Sequence, residues 1–319
     1  MTQRNDDILR RIERDAGVAD LVAVLADRLS PADLSSLLLE VFRRRAAARA
    51  PSDLLTDHTE NRFCRPSTVD ARALATWDRI ALDALPSEFE VMELSPLAPL
   101  GVCSAVATVS QNRILSTTRG VEVLSDGTNV LAVECALRRR ATRREGAQVK
   151  LAASARVVRA QQFEGTRSFA HFRLLHLCSA GRDVGSSHFV FDALVEHVAI
   201  QLRALRAFLT NAAPLRVALT DLSTHESSEP WTERAIGALR RDHPHVEVVI
   251  DEARESGRGY YRSVCFKVFV RVAGEWLDIG DGGDVDWTAT LLSDRRERLF
   301  ISGVGSERVA ALPGELAQR

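Results

Sequence analysis

A chain of 319 residues with 45% hydrophobic and 27% charged side chains is long enough for one large domain plus a smaller one, and this composition excludes intrinsic disorder. Its 42 basic residues, all arginine except Lys150 and Lys267, are met by 43 acidic ones for a formal net charge of -1. That balance argues against a broad nucleic-acid-binding surface while leaving room for a local basic patch.

Helical spacing opens the chain, over Asp6 to Asp15, Val18 to Leu29 and a segment from Ser30-Pro31 through Phe42. Ser30 is an N-cap residue and Pro31 fits the first helical position. A Pro-, Ser-, Asp- and Thr-rich loop is expected from Ala50 to Ser67, and another helix over Val69 to Leu85. These make an N-terminal helical domain, 1–85, ahead of a second domain, 86–319. From Glu88 the texture changes to short β-like runs at Phe89 to Leu94, Val121 to Leu124 and Val149 to Val158. The apolar residues from Phe191 to Phe208 recur at helical spacing. Strands follow at Leu215 to Leu219, Val246 to Ile250, Val264 to Val272 and Leu299 to Val304, with a helix at Trp231 to Arg241. The order predicts an α+β fold: a mixed, largely antiparallel sheet with helices packed against it.

Cys64, Cys103, Cys135, Cys178 and Cys265 are scattered without Cys-x-x-Cys or a companion histidine spacing, and read as buried small hydrophobes in a reducing compartment. His171, His176, His188 and His197 form no metal-ligand spacing and read as structural. No stretch reaches the roughly 20 apolar residues of a membrane span, and the N-terminus lacks a signal-peptide apolar run, so a cytoplasmic protein without membrane association is expected. The arginine runs 43–45 and 138–144 read as solvated helix ends.

Three segments carry chemistry in a fixed order. Ala155-Arg-Val-Val-Arg159-Ala-Gln161 forms an outgoing strand, Gln162 to Ser168 a loop, and His171-Phe172-Arg-Leu174 a returning strand. Next come Arg258-Gly-Tyr260-Tyr261 and Gly280-Asp-Gly282-Gly283-Asp-Val-Asp286, and last Gly303-Val-Gly305-Ser-Glu307-Arg308. An arginine fork matches phosphate oxygens, and glycines permit close approach to a nucleotide. Taken alone, Arg156 and Arg159 read equally well as two exposed arginines on a strand, and Arg308 as a solvated residue at a helix start.

The combined order resembles the histidyl-tRNA synthetase family of class II aminoacyl-tRNA synthetases over about Phe89 to Leu312. The resemblance implies that family's antiparallel sheet with flanking helices. Arg159 would contact the α-phosphate of ATP, Phe172 the adenine and Arg308 the γ-phosphate, with Gly303, Gly305 and Glu307 beside the nucleotide and Mg²⁺ bridging the phosphates. Gln161 stands where the family has an acidic residue. Thr128, Arg258, Tyr260, Tyr261, Gly282 and Gly283 fall where the family builds its substrate pocket. Thr128 or Asn129 also reads as the N-cap of a following helix, and Arg258 is two residues nearer to the first tyrosine than the family's arginine. Leu174 to Gly181 offers no carboxylate where the family holds histidine, so histidine is not the expected substrate.

Phe89 to Pro96 resembles the family's first, dimer-forming motif, which implies a homodimer. Only Val309 to Arg319 follow Arg308, too few for the family's anticodon-binding domain. The expected function is an ATP-binding paralogue that activates a small carboxylic or amino acid as an adenylate, with tRNA not expected as partner. The alternative is a non-catalytic regulatory or binding protein, similar in kind to the ATP phosphoribosyltransferase regulatory subunit. The N-terminal helices would offer a place for a protein partner.

Overall fold

The computed structural model describes residues 3–142, 147–161, 170–183, 185, 187–209, 213–222 and 231–317. The chain separates into two compact units, Met1–Arg65 with Ser116–Glu122, and Pro66–Leu115 with Val123–Arg319. The division thus falls some twenty residues ahead of the boundary drawn at 85, because the helix at Ala71–Asp83 (α5) packs within the larger unit.

The smaller unit contains α1 (Gln3–Ala16), α2 (Leu21–Ala23) running into a π-helical turn at Val24–Arg28, α3 (Pro31–Ala47) and α4 (Pro51–Glu60). Ser30 caps α3 as its sequence suggests, its Oγ accepting from the Asp33 amide at 3.1 Å. The helix α4 corrects the expectation of a loop from Ala50 to Ser67. Pro51 sits at its first position, and the Asp53 carboxylate accepts from the Ala50 amide at 3.2 Å, which satisfies one of the helix's orphan donors. None of the described residues of α1 to α4 is buried; Leu37 is 43%, Phe42 56% and Leu55 74% exposed.

The larger unit is organised by one eight-stranded sheet. Its strands are β1 (Glu90–Val91), β4 (Val149–Val158), β5 (His171–Arg182), β6 (Leu215–Asp221), β7 (Val246–Ile250), β8 (Val264–Val272), β9 (Glu275–Val285) and β10 (Glu297–Gly305). The short strands β2 (Leu97–Pro99) and β3 (Val121–Val123) lie outside it. The order is β1-β4-β5-β10-β9-β8-β6-β7, with parallel pairs only at the two edges. Every interior pair is antiparallel, as the sequence pattern predicts.

Side chains alternate across the sheet and load its two faces differently. On one face Phe266, Phe300 and Val304 pack with Trp77 of α5 and with Leu194 and Leu202 of α7 (His188–Phe208), alongside α8 (Trp231–Asp242) and α10 (Ser306–Ala317). On the other, Cys178, Leu299 and Ile301 pack with Leu131 and Cys135 of α6 (Gly127–Thr142) and with Trp287 of α9 (Trp287–Leu292).

Gly280 to Gly283 run within β9. A Cβ on Gly280 would come within 2.6 Å of Gln201, one on Gly282 within 2.4 Å of Ser302, and one on Gly283 within 2.4 Å of the Val264 carbonyl. These glycines let helix α7 and Tyr261 approach the sheet from opposite sides. A register shift at Val268/Phe269 lets β9 pass Ile279 without a partner on β8, a β-bulge of the kind that re-aims side chains.

Two readings of single residues change with burial. Cys64 is exposed, while the other four cysteines are buried. Arg139 is no solvated helix end; its guanidinium grips Glu297 at 2.9 Å through both Nε and Nη2, both side chains being at most 5% exposed. Arg138 pairs with Glu134 at 2.8 Å and Arg140 is exposed, while Arg143 and Arg144 lie outside the described residues.

Candidate functional site

A cleft opens on the α6 face of the sheet, beside the junction of β10 with α10. It has two adjoining chambers of about 240 Å³ and 410 Å³, which share the walls made by Asp126, Arg159, Tyr260, Tyr261, Asp278 and Asp281. The smaller also touches Phe172, His176, Gly303, Gly305, Glu307 and Arg308. The larger adds Gln161, Arg254 and Lys267. The sheet order explains the assembly: β4, β5, β10 and β9 are consecutive neighbours, so residues more than a hundred positions apart meet at one end.

Asp126 organises the floor. Its Oδ1 accepts from the Thr128 amide at 3.0 Å and the Thr128 hydroxyl at 2.8 Å, so Asp126, rather than Thr128 or Asn129, caps α6. Its Oδ2 takes Arg159 Nη2 at 3.1 Å, and His176 Nδ1 lies 3.5 Å from Oδ1. Burial pushes the Asp126 carboxyl up, but His176, Arg159 and Thr128 outweigh it and hold the group well below the carboxylate range. Gly127 makes room for the His176 ring, which a Cβ there would meet at 2.5 Å.

Arg159 is further held by the Ser125 carbonyl at 3.1 Å, and its guanidinium stacks 5.2 Å above the Phe172 ring. Arg308 donates to the Asp278 carbonyl at 2.9 Å and is otherwise exposed. Gly303 and Gly305 both have negative φ, so the turn into α10 needs no left-handed backbone there. What their bareness leaves is space: a Cβ on Gly303 would meet nothing closer than 3.4 Å. Glu307 is buried, one oxygen 2.7 Å from Arg156 Nη2 and the other without a partner.

Tyr260 and Tyr261 lie in a turn ahead of β8. They meet edge to face at 4.9 Å, and Tyr261 donates to Asp281 Oδ2 at 3.3 Å. Burial pushes both phenols well above their ordinary range. Arg258 lines neither chamber, its Nε donating to the Arg254 carbonyl at 3.0 Å and lying 3.7 Å from Glu255, and Gly282 and Gly283 pack inside the sheet. The loop Gln162 to Ser168 lies outside the described residues.

Several residues of the cleft carried no sequence signal. Arg254 is buried, its Nε donating to the Ser256 carbonyl at 2.7 Å. Lys267 pairs with Asp278 at 2.7 Å. Asp281 keeps half of its side chain open; enclosure by the walls, then Asp278, pushes its carboxyl above the usual range. His176 is part of the wall rather than a purely structural histidine. The carboxylates that line the cleft, among them Asp126 and Asp281, come from elements other than β5. Among the described residues no group of three His, Cys, Asp or Glu side chains could hold a metal ion by itself, and no helix is long and apolar enough to cross a membrane.

No protein-family model matches the sequence, and no curated protein does. Solved structures do match. A histidine–tRNA ligase subunit from Alicyclobacillus acidocaldarius is similar at TM-score 0.59 and 14% identity, over 80% of this chain and 96% of that one. Histidyl-tRNA synthetase from S. aureus is similar at TM-score 0.56 and 13% identity, over 76% of this chain and 65% of that enzyme, so this chain spans just under two thirds of its length. An ATP phosphoribosyltransferase regulatory subunit/histidyl-tRNA synthetase from Bacillus halodurans gives TM-score 0.56 and 14% identity, over 77% and 81%. The chain has the class II aminoacyl-tRNA synthetase-like fold seen in the histidyl enzymes.

Proposed function

We propose that the cleft binds ATP with Mg²⁺ and activates a small carboxylic or amino acid as its adenylate. The observation that carries this reading is the convergence of Arg159, just past β4, with Phe172, Gly303, Gly305 and Arg308 of β5, β10 and α10 on one cleft. Arginines supply bidentate donors for phosphate oxygens, and the open face of Gly303 leaves room for a nucleotide against the sheet. In this reading a carboxylate oxygen of the acid attacks the α-phosphorus and pyrophosphate departs. Arg159 and Arg308 balance charge on the phosphates, which is electrostatic stabilisation by preorganised donors. Because Arg159 now covers Phe172, the nucleobase must displace it to stack on that ring. Mg²⁺ takes one or two protein carboxylates plus phosphate oxygens, and Glu307, with one buried oxygen unpartnered, suits that demand; the ion would offset charge on the phosphates.

A homodimer through the segment 88–102, a protein partner at the N-terminal helices and a cytoplasmic location belong to the same proposal. An ATP–pyrophosphate exchange screen over carboxylic and amino acids tests it. Exchange with any acid supports adenylation. ATP binding without exchange for any acid points instead to a regulatory or binding protein, and no binding at millimolar ATP removes the phosphate assignments and adenylation together.

A further inference from the structure

The larger chamber is asymmetric in charge. Of its three carboxylates, Asp126 is spent on Arg159 at 3.1 Å and Asp278 on Lys267 at 2.7 Å. Besides the exposed Arg113, that leaves Arg254 and Asp281, 3.8 Å apart and so beyond hydrogen-bond distance. The two are not equivalent, because the Arg254 side chain is 4% exposed and that of Asp281 50%. Arg254 Nη1 is buried without any partner. A buried cation lacking a hydrogen-bonded counter-ion is costly, whereas a half-solvated carboxylate is satisfied by water. The chamber wall next to Arg254 is bare backbone: Gly257 sits at φ +90°, and a Cβ there would come within 3.3 Å of the guanidinium and 2.9 Å of the Tyr261 ring.

On the reading that the cleft activates a small acid, we propose that this chamber is built for a carboxylic acid that carries no ammonium group, its carboxylate held by Arg254. An ammonium would enter beside Arg254 with only Asp281 to meet it. At such separations the repulsion from one is about as large as the attraction to the other, so the loss of hydration goes uncompensated. A carboxylate meets the opposite situation. It satisfies the orphaned Nη1 and leaves Asp281, whose carboxyl is already pushed up by enclosure and by Asp278, free to take a proton.

The test uses the whole chain without nucleotide and matched acids that differ at the α-carbon: lactate against alanine, 3-phenyllactate against phenylalanine, succinate against aspartate. Binding is followed by ligand-observed NMR and calorimetry. In at least one pair the acid without the ammonium should bind about tenfold or more tightly than its amino counterpart, a difference of about 1.4 kcal/mol. Arg254→Gln should lose that binding with the fold intact by circular dichroism, and Arg254→Lys should keep part of it. Equal or tighter binding of the amino acids overturns the proposal, as does binding by neither class at millimolar concentration. Pyrophosphate exchange separates the two claims: binding of the plain acids without exchange leaves the chamber assignment standing and removes adenylation, while exchange driven by amino acids alone does the reverse.

Discussion

Arg156 of β4 reaches the first turn of α10, where its Nη2 lies 2.7 Å from Glu307 Oε1. The same guanidinium contacts His171 Nδ1 at 2.9 Å. This contact fixes the end of β10 against β4 and so sets where Arg308, the next residue, can point. Of the two arginines on the outgoing strand, Arg156 therefore orients the site while Arg159 faces the cleft.

Removing Arg308 should weaken ATP binding. A charge-assisted contact to phosphate exceeds an ordinary hydrogen bond, but Arg308 is exposed, so the loss on Arg308→Ala should be on the order of tenfold in Kd. Calorimetry with MgATP checks this, and an unchanged Kd removes the phosphate assignment.

Two glycines should part company when given a methyl group. Gly303→Ala meets nothing closer than 3.4 Å, so it should fold with a near-native melting temperature while impeding ATP. Gly282→Ala must push aside the Ser302 Cβ at 2.4 Å and the Ile301 carbonyl at 2.7 Å, and overpacking of this kind costs about 1–3 kcal/mol or more. Thermal denaturation of both variants, read beside nucleotide binding, separates the cleft glycine from the packing glycine.

Glu297 is clasped by Arg139 and by Arg182 Nε at 3.1 Å. Glu297→Ala should destabilise the protein by about 3–5 kcal/mol, because Arg139 is left charged in a dry site. The paired change Arg139→Met with Glu297→Leu should recover most of that loss, and urea unfolding of the single and double variants measures the difference.

His197 lies buried between the hydroxyls of Ser179 and Ser302, 2.9 Å from each. Burial first, and the charge of Lys150 next, push its pKa down to about 3, while an unfolded histidine titrates near 6.5. Between those values the unfolded chain takes up a proton that the folded one refuses. Stability should therefore fall as pH drops below about 6.5, at up to roughly 1.4 kcal/mol per pH unit. His243, also held below its ordinary value by burial, acts in the same direction. The depressed Asp126 adds its own loss only from about pH 4 downward. Urea midpoints from about pH 4.5 to 6.5 should slope less in His197→Gln than in the parent, and equal slopes would remove His197 as the cause.

The segment 88–102 should mediate self-association. Val91, Leu97 and Leu100 there are 47%, 42% and 52% exposed, and an isologous contact is the commonest symmetric solution. Light scattering at micromolar concentration should give twice the chain mass of 35.1 kDa, and a monomer would end the argument from that segment.

The sheet was more legible than the site. β4, β7 and β8 fall where alternation places them, since Val264, Phe266, Val268, Val270 and Val272 all enter one core. The packing role of the β9 glycines was not legible, because sequence does not show Gln201 or Ser302 approaching from other elements. Arg159, Phe172 and Arg308 stand in a recognisable order and meet. Arg254 does not, lying in the connection between β7 and β8, nor do Lys267 and Asp278, which strand register and a bulge bring in without leaving a pattern in one stretch of chain. The helix α4 was hidden for a different reason: only Leu54 and Leu55 are large apolar residues within it, and both lie exposed.

Helices α1 to α4, with no described residue buried, have a calorimetric consequence. Unfolding heat scales at about 0.7 kcal/mol per residue only for chain that gives up packed interior. Helices α1 to α4 have almost none to give, so the endotherm should carry an enthalpy in proportion to the larger unit alone. Excising the first 65 residues should then leave both the position and the area of the peak nearly unchanged, and amides in this stretch should trade their hydrogens for solvent deuterium long before those of β5 and β10.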